Sequence, residues 1–260
     1  MNIPQLLRYD VAPGVSAFST TRHGGVSKNN YGALNVNAYC GDSIPNVSTN
    51  RLLLCRELNI APEALVVPHQ VHGTEVRHIG KEFLSLPENV RRMIVEGVDA
   101  VMTNVPGLCV GVSTADCIPV LLYDAAHHAV CAIHAGWRGT AARIVQKAIA
   151  GMAMSFNTSA ADLKAVIGPG ISLKNFEVGQ EVYNAFAEAG FDMEYIAKMY
   201  DKWHIDLWQA NCMLLTQAGV KSENIQLSGI CTFDNVDDYF SARRLGINSG
   251  RIYSGIILRQ

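Results

Sequence analysis

The sequence has little excess charge of either sign. Its 21 Lys and Arg against 23 Asp and Glu leave a formal net charge of −2. This argues against a general electrostatic affinity for nucleic acid or for an anionic membrane surface. No apolar run approaches the roughly 20 residues that a membrane span requires. The opening stretch MNIPQLLRYDVAPG lacks the basic segment and long apolar core of a signal peptide, so a cytoplasmic location is expected. Repeats, low-complexity tracts and Pro/Gly/Ser-rich linkers are missing as well, and residues 1–260 are expected to form a single domain. The seven cysteines are odd in number and irregularly spaced, which excludes a simple disulfide framework. Eight histidines are present without one His-x-His pair. No subunit interface is readable, and a monomer is expected.

What remains is an ordinary globular composition, 49% hydrophobic and 17% charged. Short β-branched and aromatic runs bounded by Gly, Pro, Asn or Asp predict strands at 15–21, 65–68, 74–79, 100–103, 108–112, 119–123, 129–134, 165–167, 225–230 and 251–258. Apolar residues at helical spacing predict helices over 49–58, with Thr49 as N-cap, and over 140–152 and 178–189. A further helix is capped by Asp206 and stopped by Gly219. The charged segment Gly80–Gly97 reads as a surface excursion. The fold class is therefore mixed α/β (α+β), with β-sheets flanked by helices.

Three stretches carry metal-binding side chains against an apolar background. Cys117 stands just before the apolar run Ile118–Tyr123, and His134 ends the run AVCAIH. The short turn DAAHHA between these runs predicts a hairpin, which brings Cys117 and His134 to the same end of a sheet. A third contribution comes from VVPHQVHGTEV, where either His69 or His72 is available and Gly73 permits close approach of the backbone. One Cys and two His with an open position match the donor preferences of zinc. After His134, the stretch AGWRGT is a poor strand and a poor helix, and a sharp bend is expected there. Trp137 is a candidate aromatic wall.

The motifs TTRHGGVS, QVHGTEV, GVDAVMTN, ADCIPVLLYD, HAGWRGT, IGPGI, HIDLWQAN, ICTF, YFSARR and SGRI occur in this order, from about Ser19 to Ile256. Together they resemble the YfiH/YlmD family, described both as laccase-like polyphenol oxidases and as purine nucleoside phosphorylases with adenosine deaminase and methylthioadenosine phosphorylase activities. The resemblance implies a catalytic zinc held by His72, Cys117 and His134, with purine nucleosides and phosphate as small-molecule partners. Phosphate donors are then sought among Arg22, Arg138 and Arg243, because guanidinium forks and Gly-rich turns favour anions. Asn35, Asp99 and Asp116 are candidates for orienting a ligand histidine or a substrate hydroxyl. Gly170 stands where the family often has Cys or Ser, and no chemical role is assigned to it.

Other chemistries compete for the same residues. A copper polyphenol oxidase of the multicopper kind needs a trinuclear centre built largely from His-x-His pairs, although Cys and His donors also accept copper. A metal-free cysteine hydrolase would use Cys117 as nucleophile and His134 as base, and a cysteine or zinc amidase editing peptidoglycan precursors would use the same site on a different substrate. A scaffold without catalytic activity would have little use for a buried Cys/His cluster.

Overall fold

The computed structural model describes residues 2–259. In chain order its strands are β1 (Leu6–Tyr9), β2 (Val15–Thr20), β3 (Leu65–Val66), β4 (Val76–His78), β5 (Ala100–Thr103), β6 (Cys109–Thr114) and β7 (Ile118–Asp124). They continue with β8 (Ala129–Ala135), β9 (Leu163–Ile167), β10 (Glu177–Val178), β11 (Ala197–Met199), β12 (Trp203–Ile205), β13 (Ile225–Leu227) and β14 (Ile252–Leu258). The α-helices are α1 (Ile44–Leu58), α2 (Glu88–Ile94), α3 (Trp137–Ala141), α4 (Ile144–Phe156), α5 (Gln180–Glu188), α6 (Met193–Ile196), α7 (Leu207–Gln217) and α8 (Ala242–Leu245). No helix among the described residues is long and apolar enough to cross a membrane.

The strands form a six-stranded sheet ordered β13-β9-β7-β8-β5-β4, a five-stranded sheet ordered β1-β2-β14-β6-β3 and a small sheet ordered β10-β12-β11. The two large sheets lie face to face, and the two-residue side-chain period shows it. Val120 and Leu122 pack with α4, α5 and α7, whereas the intervening Leu121 and Tyr123 pack against Val110, Val112 and Ile256 of the other sheet. On the far side, Leu54 and Leu58 of α1 cover Phe18, Tyr253 and Ile257. The result is a helix–sheet–sheet–helix stack. Strands β7 and β8 lie inside it and are buried along their whole length. That is why both read as continuous apolar runs without alternation.

Several sequence expectations need correction. Helix α1 begins at Ile44, not at a Thr49 cap. Pro45 is tolerated in a first turn, and Thr49 Oγ1 instead donates to the Pro45 carbonyl. The helix expected over 140–152 is two helices, because Arg143 adopts a left-handed conformation (φ 63°) between α3 and α4. The stretch expected only to bend after His134 does so as the one-turn helix α3. The excursion at 80–97 is not a loop. It contains a 3-10 turn at Lys81–Ser85 and then α2, pinned by buried Phe83 and Val95. The sequence pattern does not show strands β1, β10, β11 and β12, and Val178, expected to open a helix, ends β10, so that α5 begins at Gln180. By contrast, Asp206 caps α7 as expected, accepting from the Gln209 amide, and Gly219 follows with φ 102°.

Candidate active site

The β7–β8 hairpin sets Ile118 opposite Ala135 and Pro119 opposite His134. Cys117 and His134 therefore meet at one end of the six-stranded sheet, as the short turn required. His72 arrives from the loop between β3 and β4, with the unusual φ of 61°. A non-glycine residue in this region costs about 1–3 kcal/mol and persists only where its surroundings hold it. Asp99, buried immediately before β5, supplies the hold. Its Oδ2 accepts from the amides of Val71 (3.2 Å) and Gly73 (2.8 Å), and its Oδ1 from the amide of His72 (3.0 Å). The same Oδ1 bonds His134 Nδ1 at 2.8 Å, and the His134 amide donates to the Asp99 carbonyl. One carboxylate thus fixes the His72 loop and the His134 ring together, leaving His134 Nε2 for the cluster.

One donor atom from each of His72, Cys117 and His134 lies within 4.8 Å of the others. His134 is buried, Cys117 half-buried and His72 exposed, so the cluster opens on the His72 side. Burial opposes ionisation of the Cys117 thiol, but His134 and His72 outweigh it and pull its pKa down. Burial likewise opposes charge on His134, yet Cys117 and Asp99 raise its pKa. A soft thiolate and two imidazoles converging on one point fit a divalent metal such as zinc.

Gly136 explains part of the HAGWRGT stretch. A Cβ there would lie 3.0 Å from Cys117 Sγ and 3.2 Å from His72 Cδ2. We predict that Gly136→Ala leaves the fold intact by circular dichroism and weakens metal binding on the order of tenfold in chelator competition. Unchanged affinity would show that the ligands have room to spare.

The cluster lies in the wall of a cavity of about 950 Å³, which Arg243 also lines. Both terminal nitrogens of Arg243 donate to the Glu177 carbonyl at 3.0 Å. Asp116 lines the cavity too but does not orient a histidine. It accepts from Thr232 Oγ1 and from the Arg243 amide, both at 2.7 Å, and so anchors the Arg243 segment. Asn35 is buried outside the cavity lining. Its side chain ties Asp42, Asn37 and the Arg251 amide together and shapes the Asn37–Gly41 wall. Trp137 lines the cavity, as its candidate role required.

Two of the candidate arginines are not brought there. Arg22 donates to the carbonyls of Gly32 and Val236 and lies over the Phe240 ring, while exposed Arg138 stacks on Trp137 at 4.2 Å. His69 lines the cavity without joining the cluster; it stacks on Tyr39 and bonds Glu96. At Gly170 a Cβ would lie 2.3 Å from Ile118 Cδ1, so a side chain there would require Ile118 to move. Residues that sequence reasoning missed include Arg251, Tyr39, Phe176 and Gln70, which line the cavity together with Ser113 and Thr114. Arg251 and Gln70 sit inside the motifs SGRI and QVHG, which was the one signal available for them.

Residues 16–259 match the family described as multi-copper polyphenol oxidoreductase laccase. The chain belongs to the YfiH/YlmD family. Among similar members is a purine nucleoside phosphorylase of Bacteroides thetaiotaomicron, 49% identical over 95% of this chain and 92% of that protein. An adenosine deaminase designated RL5, from an unknown prokaryotic organism, is 40% identical over 94% of both chains. The crystal structure of YlmD from Geobacillus stearothermophilus covers 100% of both chains with a TM-score of 0.89 at 28% identity. The mixed α/β architecture described above is therefore the YfiH/YlmD fold. Relatives named for nucleoside chemistry support an enzyme.

Proposed function

We propose that this chain is a zinc-dependent purine nucleoside phosphorylase with adenosine deaminase activity, acting in the cytoplasm as one catalytic domain spanning 1–260. The observation that carries the proposal is the convergence of His72, Cys117 and His134 in a cavity that also holds two anchored arginines. The names of the relatives supply the substrate class. His72, Cys117 and His134 are the proposed ligands, and a zinc ion held by them would supply Lewis acidity. The remaining chemistry falls to the chain itself.

Phosphorolysis joins a phosphate oxygen to C1′ of the ribose while the N-glycosidic bond breaks and its electron pair leaves with the purine. The anionic reactant, a mono- or dianion near neutral pH, needs donors that do not wander. Arg243 is tied to the Glu177 carbonyl, and Arg251 to the carbonyls of Ser249, Gly250 and Ile247. Each guanidinium keeps further N–H groups for an anion, pre-oriented by those bonds. Ser113 Oγ and Thr114 Oγ1 are buried in the wall without a partner, which suits them to substrate hydroxyls. Tyr39, Phe176 and Trp137 offer apolar faces to a base. Asp99 acts as the positioning group for two ligands.

A multicopper phenol oxidase is less well supported. It requires several clustered ligand sets, whereas among the described residues one His/Cys group is assembled. The test is chromatography of adenosine and inosine incubated with zinc-loaded protein, with and without phosphate, beside a Cys117→Ala control. Phosphate-dependent release of free base, lost in the control, is the expected result. Unchanged nucleosides would overturn the reading and leave amide hydrolysis as the use of this pocket.

A further inference from the structure

Away from this cavity, the protein has a second set of converging cations that the reaction does not use. Two adjoining cavities, of about 340 and 720 Å³, open between α1 and α2. They share Ser48, Arg51, Val67, Glu88 and Arg92 as lining. Arg91 closes the smaller cavity from α2.

Around the two cavities Arg51, Arg91 and Arg92 meet Glu63, Glu88 and Glu96, but only one ion pair forms between them. Arg92 pairs with Glu88, and Glu96 is already bonded to His69. Arg91 donates one terminal nitrogen to the Glu63 carbonyl and lies over the Phe83 ring, but its buried Nε has no acceptor. Arg51 is half-buried, spends Nε on the Val36 carbonyl and forms no ion pair among the described residues. Three guanidiniums thus face two carboxylates, Glu63 and Glu88, around the smaller cavity. Burial of an uncompensated cation is costly, and an anion with oxygen acceptors would relieve both Arg51 and the Arg91 Nε. The rest of the lining is apolar, including Val66, Phe83 and Val95, with exposed Leu52, Ile44 and Met93 at its openings.

We propose that this double cavity is a second ligand site, taking a small amphipathic anion: a phosphate or carboxylate group seated among Arg51, Arg91 and Arg92, and a flat apolar body against Phe83 and Val95. The site is connected to the first one. Tyr39 lines both the larger of these cavities and the active-site cavity, and stacks on His69 at 4.0 Å. An occupant would therefore press on the wall of the active-site cavity. The proposal does not depend on which reaction that cavity performs.

The test is calorimetric titration of the metal-loaded protein with phenyl phosphate, phenol and inorganic phosphate as probes. Arg92→Gln is the informative variant, because Arg92 is exposed and its one side-chain bond is to Glu88. Titrated in an Arg243→Gln background, which weakens the anion site of the other cavity, binding of phenyl phosphate is expected to weaken about tenfold on adding Arg92→Gln and to tighten on adding Glu88→Gln. Phenol and inorganic phosphate are each expected to bind about tenfold more weakly than phenyl phosphate. Equal affinity with and without Arg92→Gln in that background overturns the proposal, as does loss in Arg243→Gln alone or no binding at millimolar probe. Equal affinity for phenol removes the anion subsite, and equal affinity for inorganic phosphate removes the apolar one.

Discussion

An Asp99→Asn protein is expected to fold and to bind zinc about 10- to 100-fold more weakly than wild type, with activity falling in parallel. The reason is donor counting. Asp99 accepts four N–H groups, from Val71, His72, Gly73 and His134. An asparagine offers one oxygen and one NH2 group to the same four donors. If its NH2 faces His134, the ring must present Nδ1 as an acceptor and carry its proton on Nε2, which removes the lone pair the cluster needs. If the NH2 faces Val71 and Gly73, two amides lose their acceptor, at about 1–3 kcal/mol for each that stays dry, and the strained His72 loop relaxes. Either orientation gives up one ligand. Chelator competition and thermal melting separate the two costs. Wild-type affinity in Asp99→Asn would remove Asp99 as the positioning group.

This dependence on Asp99 also shows which parts of the site could be read in advance. Cys117 and His134 could be paired from sequence because a six-residue turn leaves a hairpin no other geometry. Strands β7 and β8 were equally readable, being apolar without interruption. His69 and His72 could not be told apart by spacing. Long-range contacts decide between them: Glu96 and Tyr39 take His69, and Asp99 takes His72. Arg22 was misread for the same reason. Arg22 sits in a Gly-rich turn that suits an anion, but its guanidinium is claimed by the carbonyl of Val236, more than 200 positions along the chain. Arg251 has no local feature of an anion binder and is aimed by carbonyls of its own loop. The missed helix boundaries were local in origin. Pro45 stood within a first turn where it is tolerated, and Arg143 took a conformation that helical periodicity does not reveal.

Zinc affinity is expected to climb steeply with pH and then level off. Without metal, burial disfavours both charges, but the partners outweigh it: the Cys117 thiol falls to about 6 and His134 rises to about 9. Between these values the pair holds one proton, as thiolate and imidazolium. Zinc takes the thiolate and the neutral imidazole, so binding expels that proton. Affinity should gain about tenfold per pH unit from this pair, about a thousandfold across the window. Below about 6 the thiol is protonated too, two protons must leave, and the slope steepens; above about 9 the pair has none to lose and its contribution is flat. Chelator competition at stepped pH reads the slope, and calorimetry in buffers of different ionisation heat counts the protons. A flat profile between 6 and 9 would show that the two residues do not share a proton. Asp99→Asn sharpens the test, because losing the carboxylate beside Nδ1 destabilises the imidazolium. The plateau should then begin at lower pH, even as the affinity it reaches declines.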